Sequence, residues 1–590
     1  MSDLKVPYLP ENMPFNGDQK QWLGGFLAGL HTRLLVKEEA VNTQQAAAPS
    51  IRPLTILYGT QTGNAQAVAE ETAELAKEYG LTATVVDMDD IDINDLVSYE
   101  RLLIVTSTYG EGEMPDNAQA LWDAISSDDA PKFDKTYYSV LSLGDTNYDD
   151  FCLAGILWDE RLAALGAERV VDRVDCDIDF EELVSDWTTE VLPSIAKKGG
   201  EKEAAQAGAT KAPKKAKSKY TRKNPLNAEL IGKKQLTKAD SSKETFHYEL
   251  SLGDSGEVYE AGDALNIIPL NRQDLVTELL AVFDASADQI EPFNGEKLPL
   301  SQIFTEALEI RMPSKEFIAD LAIRSGDVAL TRLVNGETDK LNDFLWEKDT
   351  VDLLKLFPKA QFTVAEFIQL AKPLAPRAYS ISSSIKHHEN EVHLTIGNVR
   401  YEANERGHHG VCSTFLSDEA EVGDKVKCYF APNKSFSVPQ DSNAQMIMVG
   451  PGTGIAPFRA FLEERLATNA AGENWLIFGD RNSETDFIYQ DEIEAMQSSK
   501  LITKLDLAFS RDQSEKIYVQ DRMIESAKEL FTWLENGAYF FICGDAYRMA
   551  KDVDKALHTI IEQQGQMSAE KAIEYVAQLK KQKRYVRDVY

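Results

Sequence analysis

The chain has 590 residues, of which 43% are apolar, 27% charged and 9% aromatic. That composition suits several globular domains with sizeable cores, and it excludes wholesale disorder and collagen-like or coiled-coil fibres. With 62 basic and 96 acidic side chains the net charge is −34, which excludes a general nucleic-acid or anionic-membrane ligand and suits a basic protein partner.

The five cysteines (Cys152, Cys176, Cys412, Cys428, Cys543) form no CxxC pair and the eight histidines no HExxH, so no disulfide framework, metal site or iron–sulfur ligand set is expected. A reduced, cytoplasmic setting follows as the expectation. The apolar stretch from Trp22 to Leu30 is far short of the about 20 residues that a membrane span needs. The start of the chain also lacks the basic region and cleavage site of a signal peptide.

Residues 1–53 are predicted to form an amphipathic helix at 18–36, suited to packing on another subunit, and then a linker. From 54 to 193, apolar strand candidates at 54–58, 83–87, 102–107 and 138–143, with a weaker one near 168–174, alternate with helical patterns. That alternation predicts a parallel sheet covered on both faces. Residues 194–223 hold ten Lys or Arg against two Glu and almost no large apolar side chain, which reads as a flexible basic tether. From 224 to 436, short strands at 228–236, 245–251, 257–268, 376–400 and 424–430 predict an antiparallel barrel, interrupted by a helical insertion at about 271–372. From 437 to 590, strands at 445–449, 474–478, 505–509 and 539–543 predict a second parallel α/β unit. The fold class is therefore α/β multidomain: a doubly wound parallel sheet, a barrel, then a dinucleotide-binding α/β domain.

The first strand runs into Gly59, Thr60, Gln61, Thr62, Gly63, Asn64 and Ala65, with a helix following to about Tyr79. Free backbone N–H groups and the positive end of the helix dipole make that turn an anion site, and the absence of Lys excludes a nucleoside triphosphate P-loop. Two further loops follow strand carboxyl ends: Ser107, Thr108, Tyr109, Gly110, and then Leu143, Gly144, Asp145, Thr146, Asn147, Tyr148, Asp149, Asp150, Phe151, Cys152. Tyr109 and Tyr148 could sandwich a flat ring. These three loops resemble those of the flavodoxin family. There the first holds the FMN phosphate and the other two flank the isoalloxazine ring. The acidic run Asp172, Asp175, Asp177, Asp179, Glu181 and Glu182 is either a solvated surface or a docking face for a basic acceptor.

In the second half, Arg377, Ala378, Tyr379 and Ser380 lie on a predicted barrel strand. An Arg can bridge a pyrophosphate and a Tyr can cover a ring. With them go Thr395, Ile396, Gly397 and Tyr401, and Gly410, Val411, Cys412 and Ser413 at a helix start. This group resembles the FAD site of the ferredoxin-reductase type of flavoprotein, with Val411 where many members carry glycine. Gly450 to Gly454 form a glycine-rich turn in which Gly452 and Thr453 can approach a dinucleotide pyrophosphate. Ser510, Arg511, Lys516 and Tyr518 offer hydroxyls and cations for the 2′-phosphate of NADPH. The resemblance adds Ile517, Val519, Gln520 and Asp552 to that nucleotide set. It places Ser380, Cys543 and Asp588 as catalytic residues near the nicotinamide, and stacks the final Tyr590 on the FAD ring.

Over about 54–590 the chain resembles a diflavin reductase passing electrons from NADPH to FAD to FMN. The segment Gln21 to Phe26 and the ending KRYVRDVY resemble the assimilatory sulfite reductase flavoproteins. That resemblance implies a hemoprotein partner with sirohaem and an iron–sulfur cluster, and a homo-oligomer of the flavoprotein. A reductase for another haem or cobalamin acceptor, or a non-catalytic electron shuttle, are the alternatives.

Overall fold

The Arg101–Ser107 strand is apolar or β-branched at most positions and buried along nearly its whole length, as the centre of a sheet covered on both faces must be. In the computed structural model it pairs in parallel with Pro53–Gly59 on one side and Tyr137–Leu143 on the other. Thr82–Asp87 forms one edge, and Glu168–Arg169 and Val174–Cys176 both pair with Tyr137–Leu143 at the other. The weak candidate at 168–174 is thus two short strands. In chain order the sheet reads 2-1-3-4-5, the doubly wound arrangement in which ligands bind beyond the strand carboxyl ends. The helix Asn64–Ala76 buries Ala65, Val68, Ala69, Thr72 and Ala76, an i, i+3, i+4, i+7 stripe that seats it on the sheet. Trp158 and Trp187 are buried on the two sides of this sheet.

The structure describes residues 50–110, 112–146, 150–178, 180–203, 218–336 and 338–590. The expected N-terminal helix, residues 204–217 of the basic tether, and Asn147, Tyr148, Asp149 and Asp179 lie outside the described residues. The chain divides into two compact units. In the smaller, Ser50–Ile51 pairs antiparallel with Lys202–Glu203, beside an Arg52–Glu201 ion pair of 3.0 Å. The remaining sheets belong to the larger unit.

The second sheet has six antiparallel strands. Its order is Arg377–Ser380, Ala264–Ile267, Lys425–Ala431, Leu226–Gln235, Thr245–Ser251, Glu391–Gly397. A bridge between Ile381 and Leu394 joins its two ends into a barrel. Of the expected strand at 257–268 only Ala264–Ile267 pairs. The Tyr259 hydroxyl is tied instead to the Glu391 carbonyl at 2.9 Å and to Ser383 at 2.7 Å. The insertion is helical, as expected, with its own apolar core around Phe304, Phe317 and Phe367.

The third sheet is parallel, in the order Lys504–Phe509, Asn474–Asp480, Met446–Val449, Tyr539–Gly544, Tyr585–Val589. The last strand corrects the sequence reading, whose four strands from 437 to 590 end at 543. Tyr585 anchors it, 4% exposed, with its hydroxyl on Asp554 at 2.7 Å. Among the described residues, no helix is long and apolar enough to cross a membrane.

Candidate active site

The loops at the strand ends of the first sheet, the Arg377–Ser380 strand and the chain's last residues line one cavity of about 3200 Å³. In the first loop, Gly63 precedes the helix with φ of +96°, a conformation that glycine adopts without strain. No side chain caps this 13-residue helix, so its leading N–H groups remain available to an anion. Thr60 braces the turn: its hydroxyl accepts from Gly63 N at 2.9 Å and its own N–H donates to Asn117 Oδ1 at 2.8 Å. The neighbouring Ser107 Oγ is buried without a partner. An uncapped helix start and an orphaned hydroxyl beside a large cavity fit a phosphorylated flavin.

The other two loops are partly committed to the reductase half. The Tyr109 hydroxyl donates to the Val589 carbonyl at 2.9 Å. The Thr108 hydroxyl accepts from Ala154 N at 3.2 Å. Thr146 donates twice to Asp177, from N at 3.0 Å and Oγ1 at 2.7 Å, while its carbonyl accepts from Lys372 Nζ at 2.5 Å. Gly110, Leu143, Gly144, Asp145, Asp150, Phe151 and Cys152 line the same cavity. Of the acidic run, Asp175 is paired with Arg173 at 2.8 Å, and Asp177 is held by the third loop.

Arg377 lines the cavity, but its guanidinium is engaged by buried Glu309 at 2.9 Å and by the Ala375 carbonyl at 2.7 Å. Glu309 comes from the insertion and fixes the plane of that fork; no sequence motif marks it. Ala378, Tyr379, Ile396 and Gly397 line the cavity too. Thr395 also borders it, with its hydroxyl 2.6 Å from Tyr489 Oη. Tyr401 stacks on His408 with ring centroids 4.9 Å apart, and its hydroxyl accepts from Arg311 at 3.1 Å. Gly410, Val411, Cys412 and Ser413 start a helix of only four residues beneath the barrel, where Ser413 Oγ accepts from Val399 N at 3.3 Å.

Ser380, Cys543 and Asp588 meet. Ser380 Oγ donates to Asp588 Oδ2 at 2.7 Å, and Cys543 Sγ lies 3.8 Å from the same oxygen. Burial pushes the Cys543 thiol well up, and the Asp588 charge adds to the shift, so the thiol stays protonated. Burial also raises the Asp588 carboxyl above its ordinary value, against the lowering hydrogen bonds from Ser380 and Cys543.

The nucleotide turn packs behind this group. A Cβ on Gly454 would sit 2.1 Å from the Cys543 carbonyl oxygen, so only glycine lets the two backbones approach. Thr453 Oγ1 is 3.1 Å from the Tyr590 hydroxyl. Lys243, which no motif marks, reaches within 3.8 Å of where a Cβ of Gly452 would lie, and pairs with buried Asp480 at 2.5 Å. Ser510 and exposed Arg511 are fastened by their backbone N–H groups to Asp480 and Arg481, at 2.9 and 2.7 Å. Lys516 is exposed, Ile517 and Val519 pack on the domain core, and Tyr518 opens the next helix. Gln520 donates to Asp552 at 3.5 Å. Unshielded cations beside a strand end fit a nucleotide carrying an extra phosphate.

Three family models match in succession: flavodoxin over residues 56–187, the FAD binding domain over 218–415, and the oxidoreductase NAD-binding domain over 448–555. A sulfite reductase [NADPH] flavoprotein alpha-component from Bacillus subtilis (strain 168) is 40% identical over 582 residues, covering 97% of this chain and 95% of that protein. The chain belongs to the sulfite reductase [NADPH] flavoprotein alpha-component family. The relative of the same name from Vibrio cholerae serotype O1 (El Tor Inaba N16961) is 40% identical, covering 100% of this chain and 96% of that one. A third, from Mannheimia succiniciproducens, is 38% identical with both chains covered in full. As a member of this family the chain is a diflavin oxidoreductase taking FMN, FAD and NADPH. The family name, an alpha component, implies a partner subunit.

Proposed function

We propose that this chain draws electrons from NADPH and delivers them, through FAD and FMN, to a sirohaem and iron–sulfur hemoprotein that reduces sulfite to sulfide. The flavins, when bound, supply the exchange between two-electron and one-electron chemistry, which no side chain here can perform. The single observation that carries the reading is the shared cavity: flavodoxin-type loops, the Arg377–Ser380 strand and Asp588, which Ser380 holds and Cys543 backs from beneath, all border it.

In this reading the first loop holds the FMN phosphate, and the second and third loops hold its ring. Arg377 and Tyr379 hold FAD, with Glu309 keeping the Arg377 fork in plane. Gly452, Thr453 and Gly454 receive the nucleotide pyrophosphate, while Ser510, Arg511 and Lys516 select the 2′-phosphate. Asp588 accepts from the Ser380 hydroxyl and the Cys543 thiol, so the polar edge that meets the nicotinamide is oriented before it arrives. The domains are taken as 54–193 for FMN, 224–436 for FAD and 437–590 for NADPH. Residues 194–223 are the tether, and 1–53 serve homo-oligomerisation.

The test is reconstitution. Purified chain loaded with both flavins should oxidise NADPH with ferricyanide, and should yield sulfide from sulfite only when the hemoprotein is added. NADPH oxidation without hemoprotein-dependent sulfide would leave a diflavin reductase for another acceptor. No turnover with ferricyanide would reduce the chain to a shuttle.

A further inference from the structure

The Tyr585–Val589 strand is an edge strand, bonded on one side only, in register Cys543 with Asp588. Successive side chains of a strand point to opposite faces. Asp588 therefore turns to Ser380 and Cys543, and Arg587 turns the other way, into the flavodoxin half. There its guanidinium forks onto Asp116: Nε donates to Oδ2 at 3.1 Å and Nη2 donates to Oδ1. Asp116 is in turn tied to the first loop, giving its N–H to Gln61 Oε1 and accepting from Gln61 Nε2, both at 3.2 Å. Tyr109 of the second loop grips the same strand through the Val589 carbonyl at 2.9 Å. Burial alone would raise the Asp116 carboxyl, but the Arg587 charge and hydrogen bonds outweigh it and hold it below the ordinary value.

Two loops of the FMN side thus hold the residues on either side of Asp588. We propose that Arg587 is a positioning residue that couples the two halves: seating the flavodoxin half on the Arg587–Asp116 fork also fixes the Asp588 carboxylate against Ser380 and Cys543. Undocking removes the fork and the Tyr109 tie together, and leaves the Arg587–Val589 end of the strand with its ladder and the Ser380 bond alone, while Tyr585 stays anchored on Asp554. NADPH then meets its best-ordered site when the FMN side is in place to take the electrons onward. This rests on the function proposed above.

The experiment uses the full-length chain loaded with both flavins, as wild type, Arg587→Ala, Arg587→Lys, Asp116→Asn and the Arg587→Ala/Asp116→Asn double variant. Small-angle scattering reads the docked fraction. Stopped-flow absorbance reads NADPH-driven flavin reduction, with its limiting rate and nucleotide half-saturation separated. Expected is a roughly tenfold lower ratio of docked to undocked molecules in each neutralised variant, with Arg587→Lys in between. The limiting reduction rate should fall about three- to tenfold with unchanged half-saturation, in Asp116→Asn as in Arg587→Ala. The double variant should be no worse than either single one, as coupled partners require. A lower docked fraction in Asp116→Asn with an unchanged reduction rate overturns the positioning role. Unchanged scattering and unchanged rate in both single variants overturn the fork as a coupling element. Failure of the wild type to be reduced by NADPH would instead sink the proposed function, and is separately visible.

Discussion

Ser380 Oγ and Asp588 Oδ2 lie 2.7 Å apart, although 208 residues of sequence separate them. The hydrogen bond links the first strand of the barrel sheet to the last strand of the chain, and Cys543 joins it from the neighbouring strand at 3.8 Å. Replacing Asp588 by Asn keeps the shape but removes the charge that both donors address. A charge-assisted hydrogen bond contributes about 1.5–3 kcal/mol, so flavin reduction by NADPH should slow by roughly 10- to 100-fold. Ser380→Ala should cost less, and flavin content should stay the same in both. Stopped-flow reduction checks this, and a rate within twofold of wild type in Asp588→Asn refutes it.

Arg511 stands exposed behind Ser510, its backbone fixed to Arg481 at 2.7 Å. Arg511→Ala should raise KM for NADPH by about 10- to 100-fold and leave NADH nearly unchanged, because only NADPH carries the 2′-phosphate proposed for the guanidinium to grasp. Steady-state kinetics with both nucleotides decide it. Equal loss for the two would remove Arg511 from the 2′-phosphate site.

Gly454 faces the Cys543 carbonyl so closely that an added Cβ would lie 2.1 Å from the oxygen and 2.8 Å from its carbon. Gly454→Ala must push the nucleotide turn away from the Tyr539–Gly544 strand, at about 1–3 kcal/mol. The NADPH domain should melt earlier and the NADPH half-saturation should rise, while FMN content holds. Differential scanning calorimetry with a nucleotide titration checks it. A melting profile identical to wild type would show that the backbone has more room than the geometry gives it.

The sheets were legible in the sequence because their central strands are continuous apolar runs with glycine-rich turns at their ends. Gly59 to Ala65 and Gly450 to Gly454 announce their backbone chemistry by composition alone. The Tyr585–Val589 strand was not legible, because its Arg587 and Asp588 interrupt any apolar pattern, and its partners lie elsewhere in the chain. Glu309, Lys243 and Asp116 were missed for a related reason. Each acts by meeting a residue more than 60 positions away in sequence: Arg377, Asp480 and Arg587. The loop residues named from sequence belong to local turns, whose chemistry depends on neighbours within a few positions, whereas the strand residues Ser380, Cys543 and Asp588 came only from the family resemblance, because they meet across 208 positions.

Asp89 carries a pH dependence. Its carboxyl is pushed up to about 6, first by burial, then by the charges of Asp87, Asp116 and Asp90, with Lys581 opposing. A carboxyl raised in the folded state adds stability that is full below its unfolded value of 3.8 and is lost as pH rises through about 6. Asp89→Asn should therefore match wild type near pH 4 and gain stability progressively to pH 7, by up to about 2 kcal/mol after allowance for its partial exposure. Thermal melts of the flavodoxin transition from pH 4 to 8 check the trend. A difference that does not change with pH would refute it.

Tyr590 is fastened at both ends of its peptide yet leaves its ring accessible. Its N–H donates to the Gly544 carbonyl at 3.0 Å, and its own carbonyl accepts from Ala546 N at 3.1 Å. The ring lies over the cavity, 59% exposed, with its hydroxyl 3.1 Å from Thr453. With FAD bound as proposed, a ring placed there would compete with nicotinamide for the flavin face, and only a nucleotide with strong anchoring elsewhere would displace it readily. In the proposed site NADPH has that anchoring through Arg511 and Lys516, and NADH lacks it. Deleting Tyr590 removes a stacking contact of about 0.5–1.5 kcal/mol, so kcat/KM for NADH should rise by up to roughly tenfold and the NADPH preference should shrink. Tyr590→Phe keeps the ring and loses only the Thr453 contact, so its selectivity should stay near wild type. A deletion variant with wild-type selectivity would mean that the ring does not cover the flavin.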